Sequence, residues 1–262
     1  MRSYNQPLIM ILRRLGNKSA IADKIIPYFP AHKIYIEPFF GAGGMFFHKP
    51  KAKYNIVNDL DSDVFNLFQV VSNQKDELEQ QFKMMPIHSD LLEYWKENQE
   101  TEPIRRALRF LFISNLTFIG KGETLRLGSR NDKNSVYLVL NTTFDLIHDV
   151  QFCNKDFGVF LKSIEYRDLA ETFIYSDPPY LETDNNYETS FTEGQSFELF
   201  EAMQNTGCKW AMSEFDHPFI LQQAKERKLN VHIIGERQNL KNRRTEILVT
   251  NYLNAPTLFG WL

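Results

Sequence analysis

Cysteine is almost absent: Cys153 and Cys208 are the only two in 262 residues. Two thiols cannot build a disulfide framework, and neither has a histidine at ligand spacing, so no zinc or other metal site is expected. The six histidines show no triad or metal spacing. No apolar run approaches the ~18–20 residues of a membrane helix. The short apolar patch at the N-terminus precedes Arg13 and Arg14, the reverse of a secretory signal. Internal repeats and low-complexity tracts are also missing. These absences exclude a disulfide-stapled secreted scaffold and a membrane-spanning chain, and they point to a reducing cytoplasm. What remains is 43% apolar and 24% charged residues, an ordinary globular balance well clear of disorder. The length suits one large domain, or one domain carrying an inserted smaller one.

Net charge is only −3, from 30 basic and 33 acidic residues, so the total does not announce a polyanion as partner. The distribution says more. Arg105, Arg106, Arg109, Lys121, Arg126, Arg130 and Lys133 face only Glu123 and Asp132 between positions 105 and 133. Arg237, Lys241, Arg243 and Arg244 follow near the C-terminus with no acid among them, while Asp76 to Glu102 is acidic. Such asymmetry suits a phosphate backbone, although a solvated mixed surface would look the same.

Short apolar runs recur at Lys33–Glu37, Tyr54–Asn58, Val150–Cys153, Thr172–Ser176, Lys209–Ser213, Asn230–Ile234 and Glu246–Tyr252. They read as buried parallel strands. Helical patterns lie between them at Ser19–Tyr28, Ser62–Ser72, Phe157–Lys162, Phe197–Asn205 and Pro218–Arg227. Strands alternating with helices predict an α/β sheet wound on both faces. From about Gln74 to Asp149 the pattern turns helical, with Leu108, Leu111, Phe112 and Leu116 at helical spacing. The stretch holding Gly120, Gly122, Gly128, Ser129, Asn131 and Asn134 reads as a hairpin or mobile loop. The chain is thereby divided into a split α/β domain, 1–73 with 150–262, and a basic helical insertion, 74–149.

Three motifs carry chemistry. Glu37-Pro38-Phe39-Phe40-Gly41-Ala42-Gly43-Gly44 follows a strand, and its glycines let backbone approach a ligand closely. Phe46 stands where a dinucleotide fingerprint needs a third glycine, and no Lys-Ser or Lys-Thr follows, which argues against a P-loop. A plain tight turn is the other reading. Asn58-Asp59 closes the next strand, with Asp59 18 residues beyond Gly41, near the ~20 expected of an acid that accepts from ribose hydroxyls. The most specific motif is Asp177-Pro178-Pro179-Tyr180, after Phe173-Ile174-Tyr175. Prolines remove amide donors and hold the chain extended, so the Asp177 carboxylate and Pro178 carbonyl become fixed acceptors beside the Tyr180 ring. Two acceptors and a stacking face suit a planar group with an exocyclic amine, such as adenine.

In motif order along nearly the whole chain, the sequence resembles the Dam-like (D12 class) DNA adenine-N6 methyltransferases. Leu15-Gly16-Asn17-Lys18 is similar to that family's N-terminal segment, Glu37 to Gly44 to its cofactor loop, Asn58-Asp59 to its ribose-binding acid, and Asp177 to Tyr180 to its catalytic tetrapeptide. Asn154-Lys155-Asp156-Phe157 resembles a further motif, which puts Asp156 near the cofactor's adenine amine and Phe157 beside its ring. The resemblance implies a Rossmann-like seven-stranded methyltransferase sheet with a target-recognition insertion. It also implies S-adenosyl-L-methionine as cofactor, held by Lys18, Glu37, Pro38, Phe39, Gly41, Gly43, Asp59, Asp156, Phe157 and Asp177, and double-stranded DNA as partner. Asn115-Leu116-Thr117-Phe118-Ile119-Gly120 departs from the family's N-x-x-x-N-G segment at Ile119, so GATC specificity does not carry over. Arg105, Arg106, Arg109, Lys121, Arg126, Arg130, Lys241, Arg243 and Arg244 are the candidates for DNA contact. The expected reaction flips adenine out of the duplex and methylates N6. Cytosine N4, an RNA amine and a silent DNA-binding relative are the alternatives. A monomer is the default, and a cognate restriction endonuclease is left open.

Overall fold

The computed structural model describes residues 10–14, 16–181, 191–238 and 243–253. Seven strands form one sheet in the order β3-β2-β1-β4-β5-β7-β6. They are β1 (Ile34–Glu37), β2 (Tyr54–Asn58), β3 (Gln151–Cys153), β4 (Thr172–Ser176), β5 (Lys209–Phe215), β6 (Asn230–Gln238) and β7 (Arg243–Thr250). The helices are α1 (Ala22–Ile25), α2 (Ser62–Asn73), α3 (Lys75–Met84), α4 (Ser89–Glu97), α5 (Pro103–Leu116), α6 (Ser129–Ile147), α7 (Phe157–Lys162), α8 (Glu193–Asn205) and α9 (Pro218–Glu226).

The described chain divides into two compact units. The sheet unit comprises Ala20–Phe40, Lys49–Leu60 and the described residues from Cys153 onward. Its strands alternate in the way period 2 requires. Ile36, Ile174, Trp210, Met212, Ile247 and Val249 point to one face, against Phe160 of α7, Phe200 of α8 and Ile220 of α9. On the other face Phe29 packs on Phe173 and Tyr175, at ring distances of 4.6 and 5.2 Å. Every residue of β4 is buried, as a central strand covered on both faces should be.

The helical unit holds the described residues up to Ser19, Gly41–His48 and Asp61–Phe152. It thus takes in α2 and the end of the glycine turn as well as 74–149. Val64, Leu67, Phe68 and Val71 give α2 an apolar stripe at helical spacing, buried within this unit where α2 packs on α5.

Four sequence expectations change. β7 runs antiparallel to both β5 and β6, whereas all seven strands were expected parallel. The register pairs Gln238 with Arg243, and a connection as short as 239–242 can join only antiparallel strands. The helix expected over Ser19–Tyr28 is broken into 3₁₀ turns at Lys18–Ala20 and Ile26–Tyr28 around α1, since Pro27 supplies no amide donor. α8 begins at Glu193, earlier than Phe197, because Thr192 and Gln195 form a reciprocal capping box. The glycine-rich hairpin is real but short. Phe118 N–H donates to the Thr124 carbonyl at 2.8 Å and Arg126 N–H to Leu116 at 2.9 Å, and α6 starts at Ser129, after Gly128 turns left-handed at φ 85°.

Candidate active site at the carboxyl ends of the central strands

The strand order gathers residues that are far apart in sequence. β3, β2, β1 and β4 are successive neighbours, so their carboxyl ends bring Asp156, Asp59, Glu37–Phe39 and Asp177 to one edge of the sheet. β1 and β4 run in register, Ile36 beside Ile174, and the chain crosses from one half of the sheet to the other between them. In open α/β sheets the crevice at such a reversal is where ligands bind.

The loops at this edge are tied together by Asn58, which sequence reasoning passed over in favour of Asp59. Its buried amide donates to the carbonyls of Pro38 (3.0 Å) and Lys155 (2.9 Å) and accepts from Lys155 N–H (3.0 Å). Its own carbonyl accepts from Phe40 N–H at 2.9 Å. Asn154 adds bonds from its side-chain amide to the carbonyls of Asp59 (2.7 Å) and Leu60 (3.0 Å). Asp156 caps α7, accepting from Gly158 N–H at 2.9 Å and Val159 N–H at 3.3 Å. Phe39, partly exposed, packs on Phe157 at 5.6 Å, and Phe191 closes an aromatic triangle with both.

Glu37, expected to face a ligand, is instead 2% exposed and accepts the Tyr35 hydroxyl at 2.8 Å. Burial pushes its carboxyl well above the usual range. Tyr35 and Lys49 oppose that shift, and the charges of Asp177 and Asp59 add to it. Lys49, with its ammonium 3.8 Å over the Tyr35 ring, is lowered to about 7 by burial. Glu37 and Lys49 therefore form a buried layer beneath the site.

In the helical unit, Gly41 and Gly43 adopt left-handed φ values of 53° and 75°. Gly44 is required by space: a Cβ there would stand 2.1 Å from Asn17 Oδ1 and 2.9 Å from Lys18 N. Lys18 is buried, and its Nζ donates to the Gly16 carbonyl at 3.4 Å. The N-terminal segment and the glycine turn are thus packed on each other.

Asp177 is partly exposed at the end of β4, while Pro178 beside it is buried and Pro179 partly exposed. Tyr180 departs from expectation. Its ring is 7% exposed and stands edge-on to Phe215, and its hydroxyl donates to Glu246. A buried phenol seeks an acceptor, and Glu246 draws the ring inward.

The basic candidates fall into two groups. Arg105 forms a two-pronged pair with Glu100 (3.0 and 3.0 Å), Arg106 binds Asp63 (2.5 Å) and Ser62 (2.6 Å), and Arg109 donates to the Trp95 carbonyl at 3.0 Å. These three brace helices of their own unit. Lys121 and Arg126 are exposed on the hairpin, with Arg126 3.7 Å from Asp132. Arg130, Lys83, Lys133, Asn134 and Tyr137 line a cavity of about 580 Å³ whose lining holds no acid. Lys133 anchors it by donating to the carbonyls of Lys83 (3.0 Å) and Met85. Arg244, expected at a phosphate, instead donates to the Leu181 carbonyl at 3.3 Å and lies over Phe215. Lys241 lies outside the described residues, and of Arg243 only the backbone, in β7, is described.

Among the described residues no cluster of three or more His, Cys, Asp or Glu could hold a metal ion, and no helix is long and apolar enough to cross a membrane. The family model for D12 class N6 adenine-specific DNA methyltransferases matches residues 15–247. The DNA adenine methylase of Haemophilus influenzae is 31% identical over 196 residues, covering 69% of this chain and 66% of that protein, so the match spans about two thirds of the relative's length. A type II methyltransferase of Lactococcus lactis subsp. cremoris, M1.LlaDCHI, is 25% identical over 259 residues, covering 84% of this chain and 87% of the relative. Among solved structures, an rRNA methyltransferase from Streptomyces viridochromogenes superposes with a TM-score of 0.37 at 11% identity over 88% of this chain and 82% of that one, too distant to bear on function. With Gly41–Gly44, Asn58-Asp59 and Asp177–Tyr180 in family order on a Rossmann-like seven-stranded sheet, the chain belongs to the D12 class of N6 adenine-specific DNA methyltransferases, and S-adenosylmethionine is its methyl donor.

Proposed function

We propose that Asp177 and the Pro178 carbonyl accept the two N6 hydrogens of an adenine flipped out of double-stranded DNA. The observation that carries this reading is the convergence of Asp156, Asp59 and Asp177 at the ends of β3, β2 and β4, on either side of β1. The donor set suits the cofactor. Asp59, an acceptor-only carboxylate when ionised, matches a ribose diol, and Phe39 with Phe157 offers an aromatic wall for the adenine ring, with Asp156 beside it. S-adenosylmethionine, when bound, supplies a methyl group already activated on a sulfonium. The protein must then aim the weak N6 lone pair at that carbon. Two fixed acceptors favour a pyramidal nitrogen, and their preorganisation lowers the barrier without a strong base. The bond to N6 forms as the methyl–sulfur bond breaks to leave a neutral thioether, and the surplus N6 proton passes by way of the Asp177 carboxylate to solvent. Flipping the base costs a few kcal/mol, which contacts to the extruded nucleotide and backbone must offset.

The helical unit reads the target in this proposal. Lys83 and Arg130 form the phosphate-contacting set, with Lys121 and Arg126 on the hairpin closer to the bases. The type II relative favours service in restriction-modification; a cognate endonuclease, a monomeric enzyme and the cytoplasm complete this reading. The test is transfer of labelled methyl from S-adenosylmethionine to unmethylated genomic DNA, with modified bases mapped. N6-methyladenine at one short motif is the expected result. N4-methylcytosine, or label in RNA alone, would overturn it.

A further inference from the structure

β7 reaches the catalytic tetrapeptide at Tyr180 and the residue that follows it, Leu181. Glu246 accepts the Tyr180 hydroxyl, and Arg244, two residues earlier on the same strand face, donates to the Leu181 carbonyl at 3.3 Å. Phe215, the register partner of Glu246 on β5, lies between them. The Tyr180 ring meets it edge-on at 4.7 Å, and the Arg244 guanidinium sits 5.6 Å from its centre. Tyr180 and Glu246 are 7% and 1% exposed, so water does not compete for their hydrogen bond. Burial, with the Glu246 charge adding to it, pushes the phenol well above its ordinary pKa, and Tyr180 remains the donor.

We propose that Glu246 is a positioning residue for methyl transfer: by holding the Tyr180 hydroxyl it fixes the backbone through Pro178 and Pro179, and so aims the two acceptors at N6. This rests on the assignment of Asp177 and Pro178 made above. Tyr180 then works through its hydroxyl as an anchor, and a ring that only stacked on the base would not need that oxygen. Displacing a reacting group by about 1 Å can cost ~100-fold in rate.

The experiment measures kcat on DNA and, separately, the dissociation constant for S-adenosylmethionine in Tyr180→Phe, Glu246→Leu, Glu246→Gln and the Tyr180→Phe/Glu246→Leu pair. Tyr180→Phe and Glu246→Leu should each lower kcat about 100-fold with cofactor affinity unchanged. The pair should be no slower than either single variant, since both break one link. Glu246→Gln, whose amide oxygen still accepts, should lie closer to the parent. Removing both partners leaves no stranded buried group, so the pair separates aim from stability, and Tyr180→Phe with Glu246→Gln carries the test if Glu246→Leu does not fold. Parental kcat in Tyr180→Phe, or losses that multiply in the pair, overturns the inference. A parent protein that transfers no methyl to adenine overturns the underlying assignment instead.

Discussion

Asn58 and Lys155 exchange two hydrogen bonds, side-chain amide to carbonyl at 2.9 Å and backbone N–H to side-chain oxygen at 3.0 Å. The same amide also holds Pro38, so one buried side chain sets the spacing of the loops that carry Phe39, Asp59 and Asp156.

Asn58→Ala should therefore weaken cofactor binding without touching a cofactor atom. Three lost bonds at about 1 kcal/mol each predict a stability loss of about 2–3 kcal/mol. Asn58→Asp should be worse, because a carboxylate would face two carbonyls. Equilibrium cofactor titration alongside denaturant unfolding checks both; unchanged cofactor affinity in a folded Asn58→Ala would show that the loops hold without it.

Asp177 and Asp59 should fail in different ways. Asp177→Ala is expected to abolish methyl transfer while lowering cofactor affinity far less than Asp59→Ala does. Asp59→Ala removes a charged acceptor, a loss of about 1.5–3 kcal/mol, and should raise the cofactor dissociation constant about 10- to 100-fold. Single-turnover assays and calorimetry distinguish the two. Substantial turnover by Asp177→Ala would remove it from the reaction centre.

The two groups of basic residues should separate by salt. Arg130→Ala and Lys83→Ala should each flatten the dependence of DNA affinity on salt by about one counterion. Arg106→Ala should leave that slope alone and cost under about 1 kcal/mol of stability, because its guanidinium is spent on Asp63. Binding titrations over a salt series read the difference, and a flattened slope in Arg106→Ala would place it back on the DNA.

Stability should fall on acidification through His32. Burial lowers its pKa from 6.5 to about 4, the Pro30 carbonyl 2.7 Å away opposes this, and the Lys49 charge adds to it. Between about pH 4 and 6.5 the unfolded chain binds a proton that the folded chain does not. The slope of stability with pH is positive in that window, and stability drops as pH falls. The full effect is about 3 kcal/mol. His32→Phe should reduce this slope in unfolding curves taken from pH 4 to 7; an identical slope would assign it to other groups.

Much of the site was legible because its chemistry is local. A β4 buried on both faces, Asp177-Pro178-Pro179-Tyr180 after it, the Gly41–Gly43 turn and the Asn58-Asp59 strand end each follow from a few adjacent residues, whose backbone and hydrogen-bonding preferences act within one turn or strand. Tertiary structure decided whatever depended on a distant partner. Period 2 says which strand residues share a face but nothing of direction, so the antiparallel β7 followed from its connection to β6. Arg106 and Arg244 carry the same charge in sequence as Arg130, yet only packing determined that Asp63 and the Leu181 carbonyl would engage the first two. Glu37 turned inward and Tyr180 was drawn to Glu246 for the same reason: a buried polar group takes whichever partner the fold brings within reach.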